Sequence, residues 1–103
     1  MKLPDAKHAS SYPTARKIRR SCSNELYRTA KRLKVWIPSD KMEQAEKLYV
    51  KKVMLKLQWI YENRSNKKAQ CDWWDEQVSA ELAELWGVDR LKLCEAFRDA
   101  YGG

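Results

Sequence analysis

The sequence predicts an all-α chain: a compact four-helix domain with a helix-turn-helix-like C-terminal half behind a flexible N-terminal arm. Three observations carry that prediction. Glycine and proline number only three each, which leaves little material for tight β-turns, while the good helix formers Leu, Ala, Glu, Lys and Arg dominate. Apolar residues recur at three-to-four spacing, and few stretches alternate with period two. The stretch ELAELWGVDRLKLCEAFRDAYGG at residues 81–103 splits two apolar helical runs at Gly87, the punctuation of a helix-turn-helix.

Residues 1–13, MKLPDAKHASSYP, hold two prolines and almost no periodic apolar content, and are predicted as the flexible arm. Thr14 or Ser11 is the expected cap of a first helix over about 14–36. Ile18, Cys22, Leu26, Ala30, Leu33 and Ile37 make its buried stripe, and Pro38 is expected to end it. Asp40 followed by Glu43 reads as a capping box for a second helix at about 41–64. That helix is apolar on several sides: Leu48, Tyr49, Val53, Leu57 and Ile60 share one face, while Val50, Met54, Leu55, Trp59 and Tyr61 occupy others. Such a pattern suits the central helix of the domain or a partner surface. RSNKKAQCD is predicted as a polar linker and WWDEQVSAELAELW as a third helix. The fourth, about 89–100, is capped by Asp89, buries Leu93, Ala96, Phe97 and Ala100, and ends at Gly102. Residues 14–103 thus form one domain, with basic helices over 14–64 and an acidic helix-turn-helix-like unit over 72–103.

Of the 103 residues, Cys22, Cys71 and Cys94 are the three cysteines. They are odd in number, widely spaced and without a Cys-x-x-Cys pair, which argues against a disulfide framework or a zinc ribbon. No apolar run approaches a membrane span, and the polar N-terminus lacks the apolar segment of a secretion signal. The expected setting is the reducing cytoplasm, without membrane contact. No nucleophile–base pair, phosphate loop or metal-ligand cluster is visible, and the single histidine, His8, falls in the arm. The sequence therefore predicts no enzyme activity, no cofactor and no metal.

Charge is more informative. The formal net charge is +7, but residues 1–71 carry 18 Lys and Arg against 6 Asp and Glu, and residues 72–103 carry 3 against 8. Arg16, Lys17, Arg19, Arg20, Arg28, Lys31 and Arg32 crowd the first helix, a footprint suited to a nucleic-acid backbone. The competing account is a solvated basic face. Five tryptophans are many for this length. Trp59 and Trp86 are the candidates for the core. Trp73 and Trp74 diverge by about 100° on a helix, so one of them is expected at a surface where a partner can use it.

The C-terminal pattern resembles the first helix-turn-helix of the arabinose-regulator (AraC/XylS-type) transcription factors. Ala83, Asp89, Leu93, Phe97 with Arg98, and Gly102 stand where that family has alanine, a small capping residue, leucine, phenylalanine with a basic residue, and glycine. LQWIYEN at residues 57–63 is similar to the helix that precedes the unit, so the resemblance covers about 53–102. The linker RSNKKAQCDWWDEQV is longer than the family pattern. The resemblance implies DNA binding in transcription regulation, with Arg90 and Lys92 as candidate base readers. Asp89, Glu95 and Asp99 would repel the same phosphates, so a unit used only for packing is the alternative. The expected function is a small DNA-binding regulator acting as a homodimer or with a protein partner, with DNA favoured over RNA. The runner-up is a protein–protein interaction module, such as a small phage-type (anti-defence or anti-CRISPR-like) inhibitor, or an adaptor or RNA-binding accessory subunit of a nucleic-acid-handling complex.

Overall fold

The computed structural model describes residues 12–102, and among them every regular element is helical. They are α1 (Ala15–Leu33), α2 (Ser39–Leu55), α3 (Leu57–Glu62), α4 (Lys67–Gln77), α5 (Ser79–Trp86) and α6 (Arg90–Tyr101). The expected arm over 1–13 lies almost wholly outside the described residues, as does His8. The all-α prediction stands, but six helices replace the expected four among the described residues.

In α1, the Thr14 hydroxyl accepts from the Lys17 amide at 3.2 Å, which satisfies one of the free N–H groups of the first turn. Ile18, Cys22, Leu26, Thr29 and Ala30 are buried along one stripe. The helix stops before the residues expected to end it. Lys34 turns into the left-handed region (φ 58°, ψ 38°), and its amide closes on the Ala30 and Lys31 carbonyls. Pro38 (φ −58°) sits at the start of α2 rather than the end of α1, and its carbonyl accepts from Met42 at 2.9 Å. Asp40 therefore falls inside the first turn of α2, and no side chain among the described residues caps that helix.

The expected helix over 41–64 breaks at Lys56 (φ −126°, ψ 25°), whose amide reaches back only to the Val53 carbonyl at 3.1 Å. The bend keeps Leu57 and Ile60 half-buried against the core. The Gln70 amide of α4 fixes the far end by donating to the carbonyls of Ile60 and Asn63 at 3.1 and 2.9 Å. The predicted polar linker is mostly helix: Asn66 accepts from the Ala69 amide at 3.0 Å and starts α4 six residues before Trp73. The expected third helix is split at Val78. Ser79 Oγ donates to the Asp75 carbonyl at 2.5 Å, and the Arg90 guanidinium donates to the same oxygen at 2.9 Å. Side chains occupy the acceptor that the backbone ladder would use there.

Gly87 (φ 67°, ψ 38°) closes α5, with the Val88 amide on the Ala83 carbonyl at 3.0 Å, and Asp89 caps α6 through the Lys92 amide at 3.0 Å. α1 packs chiefly on α6 and α2, and α5 lies against α2 and α6. At the centre, the rings of Trp74 and Phe97 stack with centroids 3.9 Å apart, and Tyr49 meets both edge-on at 6.3 Å. Offset and edge arrangements of this kind add to the burial of the rings themselves.

Candidate nucleic-acid interface

The buried stripe of α1 fixes where its cations point. With Ile18, Cys22 and Leu26 inward, Arg16, Lys17, Arg20, Arg28 and Lys31 fall on the opposite, solvent side, and all five are exposed. Arg19 is exposed on the flank nearest α2, beside Glu43 and Glu46. Arg32 lies on the other flank and donates to Asp99 of α6 at 2.7 Å. Six of the seven predicted backbone contacts thus take part in none of the ion pairs among the described residues, and Arg32 belongs to the fold.

Two carboxylates of the acidic half, Asp72 and Asp75, are answered by its own Arg98. Arg98 donates to Asp72 at 2.5 Å and to Asp75 at 2.7 Å, and Lys68 reaches Asp72 at 3.2 Å. These bonds, that of Arg98 first, hold the Asp72 carboxyl below its ordinary range, and the two carboxylates raise Arg98. With Lys68–Asp72, three ion pairs among the described residues cross from the basic half; the others are Arg32–Asp99 and Lys52–Glu81 at 2.8 Å. The halves are thus bridged at single points on α4, α5 and α6, while the cations on the outer face of α1 enter no ion pair among the described residues.

The would-be reading helix is differently placed. Arg90 Nε donates to Ser79 Oγ at 2.9 Å and Nη2 to the Asp75 carbonyl at 2.9 Å, so its guanidinium braces the α4–α5 junction. Lys92 is exposed, next to Leu91 at 75% exposure and near the exposed carboxylate of Glu95. Among the described residues, Lys92 is in no ion pair, whereas Arg90 is engaged with Ser79 and Asp75.

Two tryptophan assignments are corrected. Trp74, expected with Trp73 as a partner contact, is fully buried in the core. Its stripe with Cys71 and Val78 demands that orientation, since those two residues are also fully buried. Trp73 is half-buried. Trp59 and Trp86, expected in the core, are half-buried as well; Trp86 packs against the core and donates to the Lys41 carbonyl at 3.4 Å. The exposed tryptophan is Trp36, at 82%, just past the left-handed turn of Lys34. Nothing in the apolar spacing marked it, because the expected first helix ran through it.

A cavity of about 670 Å³ lies between the start of α1 and α3, walled by Tyr12, Ile18, Leu57, Tyr61, Trp73 and Tyr101. Glu25 borders it and accepts from the Tyr49 hydroxyl. Burial raises the Glu25 carboxyl, against the lowering effect of the Tyr49 bond and the Arg28 charge. Burial also pushes the Cys22 thiol well up, with Glu25 and Glu46 adding to it, so the thiol is protonated at neutral pH. Among the described residues no group of His, Cys, Asp and Glu is placed to hold a metal ion, and no helix is long and apolar enough to cross a membrane. Comparison of the chain with known protein families, curated proteins and solved structures returns no match.

Proposed function

We propose that this chain is a non-catalytic nucleic-acid-binding protein that takes the phosphate backbone on the outer face of α1 and its flank toward α2. The supporting observation is the set Arg16, Lys17, Arg19, Arg20, Arg28 and Lys31, all exposed and in no ion pair among the described residues. Unpaired cations along one helix gain most from displacing the counterions of a polyanion. A role as a DNA-binding transcription regulator of the AraC/XylS type is the finer form of the proposal. It draws support from Ala83, Leu93 and Phe97, which are buried, and from Asp89 and Gly102, which take capping positions in the order the resemblance requires. The engagement of Arg90 with Ser79 and Asp75 favours α5 and α6 as scaffold over base reader. Reversing Arg16, Arg19 and Arg20 to Glu is the test. Binding to duplexes of unrelated sequence should weaken alike, with the slope of log affinity against log salt shallower by about 0.9 per lost phosphate contact. Unchanged affinity sinks the proposal.

A protein-interaction module is the second reading. Leu55 is 72% exposed at the α2–α3 corner, beside exposed Met54 and half-buried Trp59. A partner seated there would stay bound at high salt and be lost with Leu55→Glu.

A further inference from the structure

The cationic face of α1 is not purely cationic. At 100° per residue, Arg16, Arg20, Tyr27 and Lys31 fall within a stripe about 60° wide and about 22 Å long. Tyr27 is 56% exposed in that stripe, between the two arginines and Lys31. Past the last turn, the left-handed Lys34 redirects the chain and leaves Trp36 exposed beyond the same end of the helix. Neither ring has an aromatic partner among the described residues. Tyr12, at the other end of α1, is by contrast held edge-on against Tyr61 at 4.8 Å. One exposed ring on a protein surface is ordinary. Two exposed rings, one within and one past the end of a row of cations that enter no ion pair among the described residues, meet both halves of a particular ligand: phosphates along the row, and flat base faces on the rings.

We infer that the α1 surface is a platform for single-stranded nucleic acid, with bases stacked on Tyr27 and Trp36 and the backbone held by Arg16, Arg20 and Lys31. This rests on the nucleic-acid function proposed above and names its substrate class. A duplex keeps its bases stacked on one another and offers the rings nothing, whereas an unpaired strand gains a stacking contact at each ring whatever its sequence. Arg32 lies off this stripe, on the flank where it pairs with Asp99.

The test uses the full chain and labelled oligonucleotides of one length: single-stranded DNA, single-stranded RNA and duplex DNA, followed by fluorescence anisotropy at fixed low salt. Tyr27→Ala and Trp36→Ala should each weaken single-strand binding by about 5- to 150-fold. The salt slope should be unchanged, since no cation is removed, and duplex binding should be untouched. Tyr27→Phe and Trp36→Tyr should restore most of the loss because a stacking face returns. Both side chains are exposed, and circular dichroism of each variant checks that the fold is kept. Wild-type single-strand affinity in both alanine variants, or tighter binding of duplex than of single strand, would overturn the inference. If Arg16→Glu with Arg20→Glu still weakened binding in that case, backbone recognition by α1 would survive. If charge reversal had no effect on any of the three nucleic acids, the proposed function would fall and the inference with it.

Discussion

The indole of Trp74 lies flat on the ring of Phe97, centroids 3.9 Å apart and planes 4° from parallel. One ring comes from α4 and the other from α6, and both are buried, so the stack joins a helix that begins in the predicted linker to the C-terminal helix. Trp74→Ala should cost roughly 3–5 kcal/mol in chemical denaturation, the range for truncating a buried aromatic. Trp74→Phe should cost much less, because it keeps a stacking ring and removes an indole N–H that has no hydrogen-bond partner among the described residues. Equal losses for the two variants would mean that the stack contributes little.

The same pair shows where sequence reading succeeds and stops. The stripe Ile18, Cys22, Leu26 and Ala30 was legible because four inward positions on one long helix leave no choice of face. Asp89 and Gly87 were legible as cap and stop because their chemistry acts within three residues. Choosing Trp74 over Trp73 needed the true start of α4, and that start was hidden by Asn66, a capping residue lost among polar neighbours. The breaks at Lys56 and Val78 were not legible. The Val78 break follows from a guanidinium fifteen residues away from the carbonyl it binds, and no local propensity encodes that contact. The seven cations of α1 were named from sequence, but the withdrawal of Arg32 by Asp99 and the exposure of Trp36 required the fold.

Three helix ends among the described residues take the left-handed conformation, Gly87 at φ 67° and Gly102 at φ 94° with glycine and Lys34 at φ 58° with a side chain. Glycine adopts that region freely, and a side chain costs about 1–2 kcal/mol there. A Cβ placed on Gly87 meets nothing within 4 Å, so Gly87→Ala should lose about 1 kcal/mol from backbone conformation alone. Lys34→Gly should gain up to about 1 kcal/mol by the reverse logic. Thermal unfolding of both variants checks the pair, and a stabilised Gly87→Ala would contradict the assigned turn.

Two carboxyls give stability opposite dependences on pH. Asp72 is held below its ordinary value by Arg98 and Lys68. Its contribution is present above the unfolded value of about 3.8 and is lost as the pH falls through the lower folded value. Glu25 is raised by burial, so the folded chain holds its proton more tightly. That contribution is full below the unfolded value of 4.5 and is lost as the pH rises through the folded value. Glu25→Gln should therefore be more stable relative to wild type near neutral pH than at pH 4, since glutamine still offers Tyr49 an acceptor and carries no charge. Asp72→Asn should flatten the acid limb below about pH 4. Urea titrations from pH 3 to pH 7 read both effects, and parallel wild-type and Glu25→Gln profiles would count against a raised Glu25.

Arg90 separates scaffold from reader in the C-terminal unit. Its guanidinium donates to Ser79 Oγ and to the Asp75 carbonyl, both at 2.9 Å, and Ser79 is itself buried. Removing the guanidinium withdraws donors from the α4–α5 junction, and a lost bond from a charged donor costs about 1.5–3 kcal/mol. Arg90→Met, which keeps much of the aliphatic length, should thus lower stability by an amount in that range while leaving nucleic-acid affinity and sequence preference near wild type. Lys92→Ala should leave stability unchanged, since the Lys92 side chain is exposed and enters none of the ion pairs among the described residues. Affinity for a panel of duplex sequences, measured beside the unfolding free energy of each variant, distinguishes the roles. A selective loss on guanine-containing sites with stability intact would make Arg90 a base reader and α6 a recognition helix. The bonds to Ser79 and Asp75 predict the opposite pattern, with stability falling and sequence preference unmoved.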